Sequence, residues 1–488
     1  MPKGRSYPER PFTYDTLQSM RLTRRALVGL PFTARGQPRR RPNVIVFMTD
    51  DHGAWATGAY GCGEMHTPNI DALAKGGAKF TRAFACTPVC SPSRMTYMTG
   101  CLPSAHGVQD WLRPEDSFGD TAKPWLDGFT IFPEVLAKGG YECGMVGKWH
   151  MGNDEKAQRG FTYWATVPGG GGTFKNATYV KNGVVTPYPG FKEDAIGDFA
   201  VEFLKQQKAE TPFYLHVPFY APHTPFDFQP EEDRKHYDTA KFACFPDTPK
   251  HPNQNPGLGN HHGNNASKTS YMALISGADR NIGRVLRLLE ARGWRENTLV
   301  VFTADQGWNA GHHGVWGKGN GTWPFNMYEE SIRVPMIWNH PAAIKPGQTI
   351  TSMVSSYDLF PTMLDYTGLT APPDKRRVGR SYAAFLRGQN PRWEDKLFFE
   401  YSYVRGVRNS TRKLILRAEG FPFEFYDLEK DPGEAVNRID DPSYAKEIAG
   451  LKNDLEKWFQ GAGAKPIGDW RSTTKQNLTQ YGPFPSAK

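Results

Sequence analysis

Two distant segments of the chain share one design. Asn43-Val44-Ile45-Val46-Phe47-Met48-Thr49 is a short apolar run that ends on Asp50-Asp51, and Thr298-Leu299-Val300-Val301-Phe302-Thr303-Ala304 ends on Asp305-Gln306-Gly307. A run without apolar–polar alternation must be covered on both faces, as central parallel strands are. Phe213-Tyr214-Leu215-His216-Val217 is a third such run and leads into Ala221-Pro222-His223. Parallel strands need crossover connections, and helix-like segments stand between the runs at Asn69–Lys75, Phe132–Lys138, Asp194–Gln207 and Tyr271–Arg292. In the last of these, Leu274, Ala278, Ile282, Val285 and Leu289 recur at helical spacing and Gly293 follows as a stop. The pattern predicts an α/β fold with a mostly parallel central sheet flanked by helices. In such sheets ligands bind just past the carboxyl ends of the strands. Four oxygen-bearing side chains, Asp50, Asp51, Asp305 and Gln306, stand at two of those ends. If the strands are neighbours, three carboxylates crowd together and a hard divalent cation relieves their repulsion; oxygen donors favour Ca²⁺ or Mg²⁺. The other reading of these residues is two solvated strand ends with capping aspartates.

Residues 225–268 are rich in Pro, His and Asn and show no period, so they read as a long surface excursion. Pro168–Thr173 is glycine-rich but lacks the Lys-Ser/Thr ending of a nucleotide loop; it reads as a loop near the mouth of a site. Beyond residue 375 the pattern changes to short strands, Lys396–Tyr401, Lys413–Leu416 and Glu424–Leu428, with an amphipathic helix over Tyr444–Phe459. The expected organisation is a basic segment over 1–42, a catalytic domain over 43–375 and a smaller α+β domain over 376–488.

The net charge of +9 does not describe the body of the molecule. Residues 1–42 carry +8 and the remainder only +1, which makes a nucleic-acid partner a poor reading. Arg24-Arg25 before Ala26-Leu27-Val28-Gly29-Leu30 resembles a twin-arginine export signal, cut short by Pro31 and Arg35; a basic tail is the other reading. Export would place the protein in the periplasm or outside the cell. No apolar run reaches the length of a membrane span. The six cysteines, Cys62, Cys86, Cys90, Cys101, Cys143 and Cys244, form no CxxC pair and suggest neither a zinc ribbon nor a disulfide framework. In an oxidising compartment a bridge such as Cys86–Cys101 becomes available, although the sequence does not assign one.

Cys90-Ser91-Pro92-Ser93-Arg94, followed by Thr99-Gly100, changes the weight of these readings. Given a Cys, Pro and Arg at these offsets arise by chance about once in 400. With Asp50-Asp51, Gly147-Lys148-Trp149-His150, Pro222-His223, Asp305-Gln306-Gly307, Gly317-Lys318, Tyr328–Pro335 and Tyr426–Glu434, the order of motifs over roughly residues 43–440 resembles the formylglycine-dependent type I sulfatases of the alkaline-phosphatase superfamily. The resemblance implies an alkaline-phosphatase-like fold, with a large mixed sheet and a smaller C-terminal α+β domain. It further implies hydrolysis of sulfate monoesters, and the polar, aromatic loops point to a sulfated polysaccharide or oligosaccharide as the substrate.

By the same resemblance Cys90 is oxidised to formylglycine by a formylglycine-generating enzyme. Its hydrate attacks sulfur with one hydroxyl and expels sulfate with the other, a covalent route that splits one difficult step into two. Asp50, Asp51, Cys90, Asp305 and Gln306 then surround a divalent cation, Ca²⁺ or Mg²⁺. Arg94 steadies the nucleophile, and Lys148 and Lys318 neutralise sulfate oxygens. His150 accepts a proton and His223 protonates the leaving oxygen. Two features depart from the family pattern: Gln306 stands where many relatives have Asn, and the segment between Lys318 and Tyr328 is long. Trp323 and Phe325 in that segment are either a sugar-stacking platform or loop packing. His106 stays outside the core set, and His312 and His313 are weaker candidates. Arylsulfatase, phosphonate monoester or phosphodiester hydrolase, and a non-catalytic glycan-binding relative are the competing readings.

Overall fold

The computed structural model describes residues 41–418, 420–465 and 467. The twin-arginine segment lies outside them. Ten strands form the central sheet: β1 Asn43–Thr49, β2 Ala78–Phe80, β3 Glu142–Gly147, β4 Tyr163–Thr166, β5 Thr178–Lys181, β6 Val184–Pro187, β7 Phe213–Pro218, β8 Thr298–Ala304, β9 Met336–Asn339 and β10 Gln348–Ile350. Their order is β10-β2-β9-β8-β1-β7-β3-β4-β5-β6. The five strands from β8 to β4 are parallel throughout, and antiparallel pairs lie at either side. β1 therefore sits between β7 and β8, with Thr49 opposite Ala304, and the two acidic strand ends emerge side by side.

Alternate side chains of β1 enter two different cores. Val44, Val46 and Met48 pack with Met95, Phe132, Leu136 and Phe360. Ile45 and Phe47 pack on the other face with Ile70, Leu73, Ile196, Leu274 and Ile282. The first face is covered by α2 (Cys90–Thr99), α3 (Phe132–Lys138) and α6 (Leu359–Thr367); the second by α1 (Pro68–Lys75), α4 (Lys192–Gln206) and α5 (Asn265–Ala291). Each buried Val, Ile, Leu or Phe contributes about 1.5–3 kcal/mol, which is why an uninterrupted apolar run is stable only at the centre of the sheet. α5 starts six residues before the apolar periodicity does, because the Asn264 side chain accepts from Ala266 N (2.9 Å) and Ser267 N (3.3 Å).

At the carboxyl end β11 (Lys396–Tyr401), β12 (Val404–Asn409), β13 (Arg412–Arg417) and β14 (Glu424–Asp427) make an antiparallel sheet, with α7 (Ala445–Gly461) packed on it. Its core also contains Phe84, Val89, Leu102, Phe325 and Met327. Phe325 stacks on Tyr401 (4.6 Å) and Tyr403 (5.2 Å), with the Trp323 edge on Phe325 (5.2 Å). The Trp323–Phe325 pair is thus loop packing and not an exposed platform. The cysteines pair otherwise than in the Cys86–Cys101 bridge that the sequence left available. Cys62 and Cys244 form the disulfide, while Cys86 and Cys101 are free and buried. The bridge closes over 182 residues because the chain returns from the 225–268 excursion to the segment after β1, a proximity that spacing cannot show.

Candidate active site

Beyond the adjoining ends of β1 and β8 lies the buried start of α2. Tyr97 on this helix donates to Ala304 O (2.9 Å) and Ser93 donates to Asp305 O, so the helix is tied to the strand end that carries Asp305. Cys90 is its first residue and is 2 % exposed. Its Sγ is 3.4 Å from Asp50 Oδ1, 2.8 Å from Lys318 Nζ and 3.7 Å from Gln306 Nε2.

The charges interlock around that sulfur. Arg94 Nε and Nη2 meet Asp305 Oδ2 at 2.8 and 2.7 Å, and Arg94 Nη1 donates to Lys148 O at 2.5 Å. Lys148 pairs with Asp50, and Lys318 donates to Asp51 Oδ1 at 2.6 Å. Burial by itself raises a carboxyl pKa. At Asp50 it is outweighed by Lys148, His223, Arg94 and Lys318, which hold the group well below the usual carboxylate range. At Asp51 and Asp305 burial prevails, with Asp50 adding to it, and both are raised. The Cys90 thiol is pushed up by burial and Asp50, yet Lys148, Lys318 and the His150 hydrogen bond bring it well below an ordinary thiol.

The donors suit a hard cation. Asp51 Oδ2 and Gln306 Oε1 are buried acceptors without a hydrogen-bond partner, while Gln306 Nε2 donates to Asp50 Oδ1 (3.1 Å) and Asp51 Oδ1 (2.6 Å). Asp50, Cys90 and His223 also bring one ligand atom each within 4.8 Å of one another. Rotating the Gln306 amide would turn its carbonyl oxygen to the carboxylates, so the residues present fit a Ca²⁺ or Mg²⁺ ion.

The two histidines flank the sulfur. His150 has a positive φ of 58° and its Nε2–H donates to Leu112 O at 2.8 Å, so in the neutral ring the buried Nδ1 carries the lone pair. Burial and then Lys148 lower the pKa of His150, which keeps the ring neutral. Leu112 is itself fixed by its N–H donating to Ser91 Oγ (3.0 Å), a residue of the Cys90 signature. His223 donates from Nδ1 to Thr224 O and turns Nε2 toward Asp51 Oδ2 at 3.7 Å.

Above these groups opens a cavity of about 630 Å³. Its floor is Asp51, Cys90, Lys148, His150, His223 and Lys318, and its walls come from Trp111, Leu112, Pro114, residues 169–171 and 255–258, and Trp308. The structure thus brings every predicted site residue into one cluster, Lys318 included despite the long segment after it. His106 is buried off the cavity, with Val108 N donating to its Nδ1 at 3.2 Å. His312 packs on Trp55 and His313 pairs with Glu330 (2.6 Å). Sequence reasoning missed the wall residues Trp111 and Leu258, which carry no motif. It also missed Gly170, whose place against His150 exists only in three dimensions.

The profile of the sulfatase family matches residues 42–369. The chain belongs to the sulfatase family. It is a sulfuric ester hydrolase with an alkaline-phosphatase-like fold. A second profile, the C-terminal region of N-sulphoglucosamine sulphohydrolase, matches residues 311–460. The sulfatase is 25% identical to an N-acetylglucosamine-6-O-sulfatase of Bacteroides thetaiotaomicron, covering 86% of each chain. Among solved structures, one in complex with its substrate D-glucosamine-2-N,6-O-disulfate superposes with a TM-score of 0.73 at 25% identity, over 87% of this chain and 98% of the other. The phosphonate monoester hydrolase of Agrobacterium radiobacter shares the fold at a TM-score of 0.67 and 23% identity, over 86% and 96%.

Proposed function

We propose that this sulfatase hydrolyses a sulfate monoester on a sulfated saccharide, with Cys90 converted to formylglycine by a formylglycine-generating enzyme. The observation that carries the reading is the position of Cys90. It stands at the floor of a saccharide-sized cavity, with Asp50 Oδ1 and Lys318 Nζ against its sulfur and Lys148 and His150 close enough to lower its pKa. Likeness to the glucosamine-6-O-sulfatase supports the choice of a sugar. A divalent cation, Ca²⁺ or Mg²⁺, held by Asp50, Asp51, Asp305, Gln306 and the residue at position 90, would supply Lewis-acid polarisation of a sulfate oxygen.

The chain's own residues then divide the work. Lys148 and Lys318 neutralise sulfate oxygens in a buried setting where charge acts strongly. Arg94, held by Asp305 and the Lys148 carbonyl, fixes the first turn of α2 and therefore the nucleophile. His150 takes a proton at Nδ1. His223 delivers one from Nε2 to the leaving oxygen, its Nδ1–H being committed to Thr224 O. Each such transfer contributes about 10²–10⁴-fold. Export to the periplasm or the exterior accompanies this reading: the Cys62–Cys244 disulfide suits an oxidising compartment. No helix among the described residues is long and apolar enough to cross a membrane.

Peptide mass spectrometry tests the proposal. Trypsin releases Ala83–Arg94, and fragmentation separates Cys86 from Cys90. An aldehyde at Cys90 in protein from its native host is expected; an unmodified thiol there overturns the formylglycine route. Phosphonate monoester hydrolysis is the second reading, favoured by the shared fold. A kcat/KM on a phosphonate monoester above that on any sulfate ester would select it.

A further inference from the structure

The cavity over Cys90 divides its chemistry by depth. Among the described residues that line it, every charged or titratable side chain belongs to the floor: Asp51, Cys90, Lys148, His150, His223 and Lys318. The walls are uncharged. Trp111, Leu112 and Pro114 come from the segment after α2, Pro256 and Leu258 from the long excursion, and Trp308 from the turn after β8. The remaining polar side chains, Thr224, Asn255 and Asn320, are neutral.

The floor has no cation to spare. Lys148 and Lys318 are engaged with Asp50 and Asp51, and both are needed by one sulfate group. Two further cations among the described residues, next to the lining, are also committed. Arg113, adjoining the Trp111–Leu112 wall, pairs with Glu115 and Asp116, each at 2.9 Å. Lys192 lies beneath the glycine loop, 1 % exposed, donating to Gly171 O and Gly172 O at 3.1 Å each with the Tyr220 ring 3.8 Å away. A second sulfate or a carboxylate on the bound molecule would face indole, proline and leucine with no partner, and an anion buried without a partner is strongly disfavoured. Indole faces and neutral hydrogen-bonding groups instead suit the CH faces and hydroxyls of a plain sugar ring.

We propose that the substrate is an otherwise uncharged saccharide of one or two rings whose scissile sulfate is its sole anionic group. This rests on the sulfatase reading of the Cys90 site. Sugars with a second sulfate or a uronate near the cleaved ester are discriminated against by the walls.

The test compares N-acetylglucosamine-6-sulfate with glucosamine-2-N,6-O-disulfate. One arm measures kcat/KM with the mature enzyme, the other affinity by calorimetry with Cys90→Ala. The expected result is a preference for the monosulfated sugar of about tenfold or more in both arms. Leu258→Arg, which places a cation in the half-buried wall, is expected to narrow that ratio. Equal or better use of the disulfate overturns the proposal, and a ratio unmoved by Leu258→Arg overturns its assignment to this wall. If neither sugar is turned over but Cys90→Ala binds the monosulfate selectively, the wall assignment stands and the hydrolytic reading fails. Binding of neither sugar overturns both.

Discussion

Gly170 is the residue through which the glycine loop meets the proposed proton acceptor. Its φ is +66°, and a Cβ built on it would stand 2.2 Å from both Cδ2 and Cγ of His150 and 2.7 Å from Nδ1. Non-bonded carbons need about 3.5 Å, so Gly170→Ala forces a separation of more than about 1 Å. The loop cannot easily retreat, because Lys192 grips its next two carbonyls. The ring cannot easily retreat either, because Nε2 is tied to Leu112 O. A left-handed alanine adds about 1–2 kcal/mol of backbone cost, visible as a modest fall in Tm. A displacement of about 1 Å at a reacting group costs on the order of 10²-fold in rate. We therefore expect Gly170→Ala to lower kcat about 100-fold while the far-ultraviolet circular dichroism stays native. Gly171→Ala is the control: its φ is −140° and its Cβ would meet only Gly169 O at 3.9 Å, so activity should be kept. Retention of activity within about threefold by Gly170→Ala, or an equal loss in Gly171→Ala, would refute the claim that close packing on His150 sets the rate.

Three other outcomes are expected. Prolonged chelation should lower both activity and Tm, and Ca²⁺ or Mg²⁺ should restore them, since Asp50 still raises the pKa of both Asp51 and Asp305 despite the neighbouring Lys and Arg side chains; chelation that leaves Tm and rate unchanged contradicts the cation site. Replacing Cys62 and Cys244 by Ser opens a loop of 182 residues, for which chain entropy gives an upper value of about 5 kcal/mol and experience about 2–4; denaturant titration should show the loss, and KM should rise because Asn255–Leu258 lie on the tethered excursion. At Glu330 burial is outweighed by the His313 hydrogen bond and charge, which bring its pKa to about 2. Its folded pKa is thus depressed, so its contribution is present above the unfolded value of about 4.3 and is lost as pH falls toward 2. Wild type should lose more Tm than Glu330→Gln between pH 5 and pH 3, and parallel curves would count against the pair.

Legibility in the sequence followed where one local signal had one physical meaning. The uninterrupted runs of β1, β7 and β8 admit burial on both faces and little else, and they delivered the sheet and the acidic strand ends, while the pairing of β1 with β8 came from the fold. β12 was not legible, because Arg405, Gly406 and Arg408 interrupt the apolar residues of Val404-Arg405-Gly406-Val407-Arg408-Asn409. It is a buried strand since Arg405 pairs with Glu400 (3.0 Å) and Arg408 with Glu329 (2.9 Å), partners that only the fold supplies. Cys86 and Cys101 were the nearer pair in sequence and Cys62 and Cys244 the nearer pair in space, because the excursion after β7 folds back over the segment that follows β1.

Taken by itself, the sequence determined the α/β class, the strand ends that carry Asp50, Asp51, Asp305 and Gln306, and the ordered motifs that single out Cys90, Lys148, His150, His223 and Lys318. Each depends on short-range periodicity or fixed offsets along the chain. The tertiary structure alone decided the disulfide, the packing of Trp323 on the buried Phe325, the contact of Gly170 with His150 and the uncharged walls of the cavity. Those features join segments that share no local pattern, and they form only where the sheet and its connections bring distant side chains to one place.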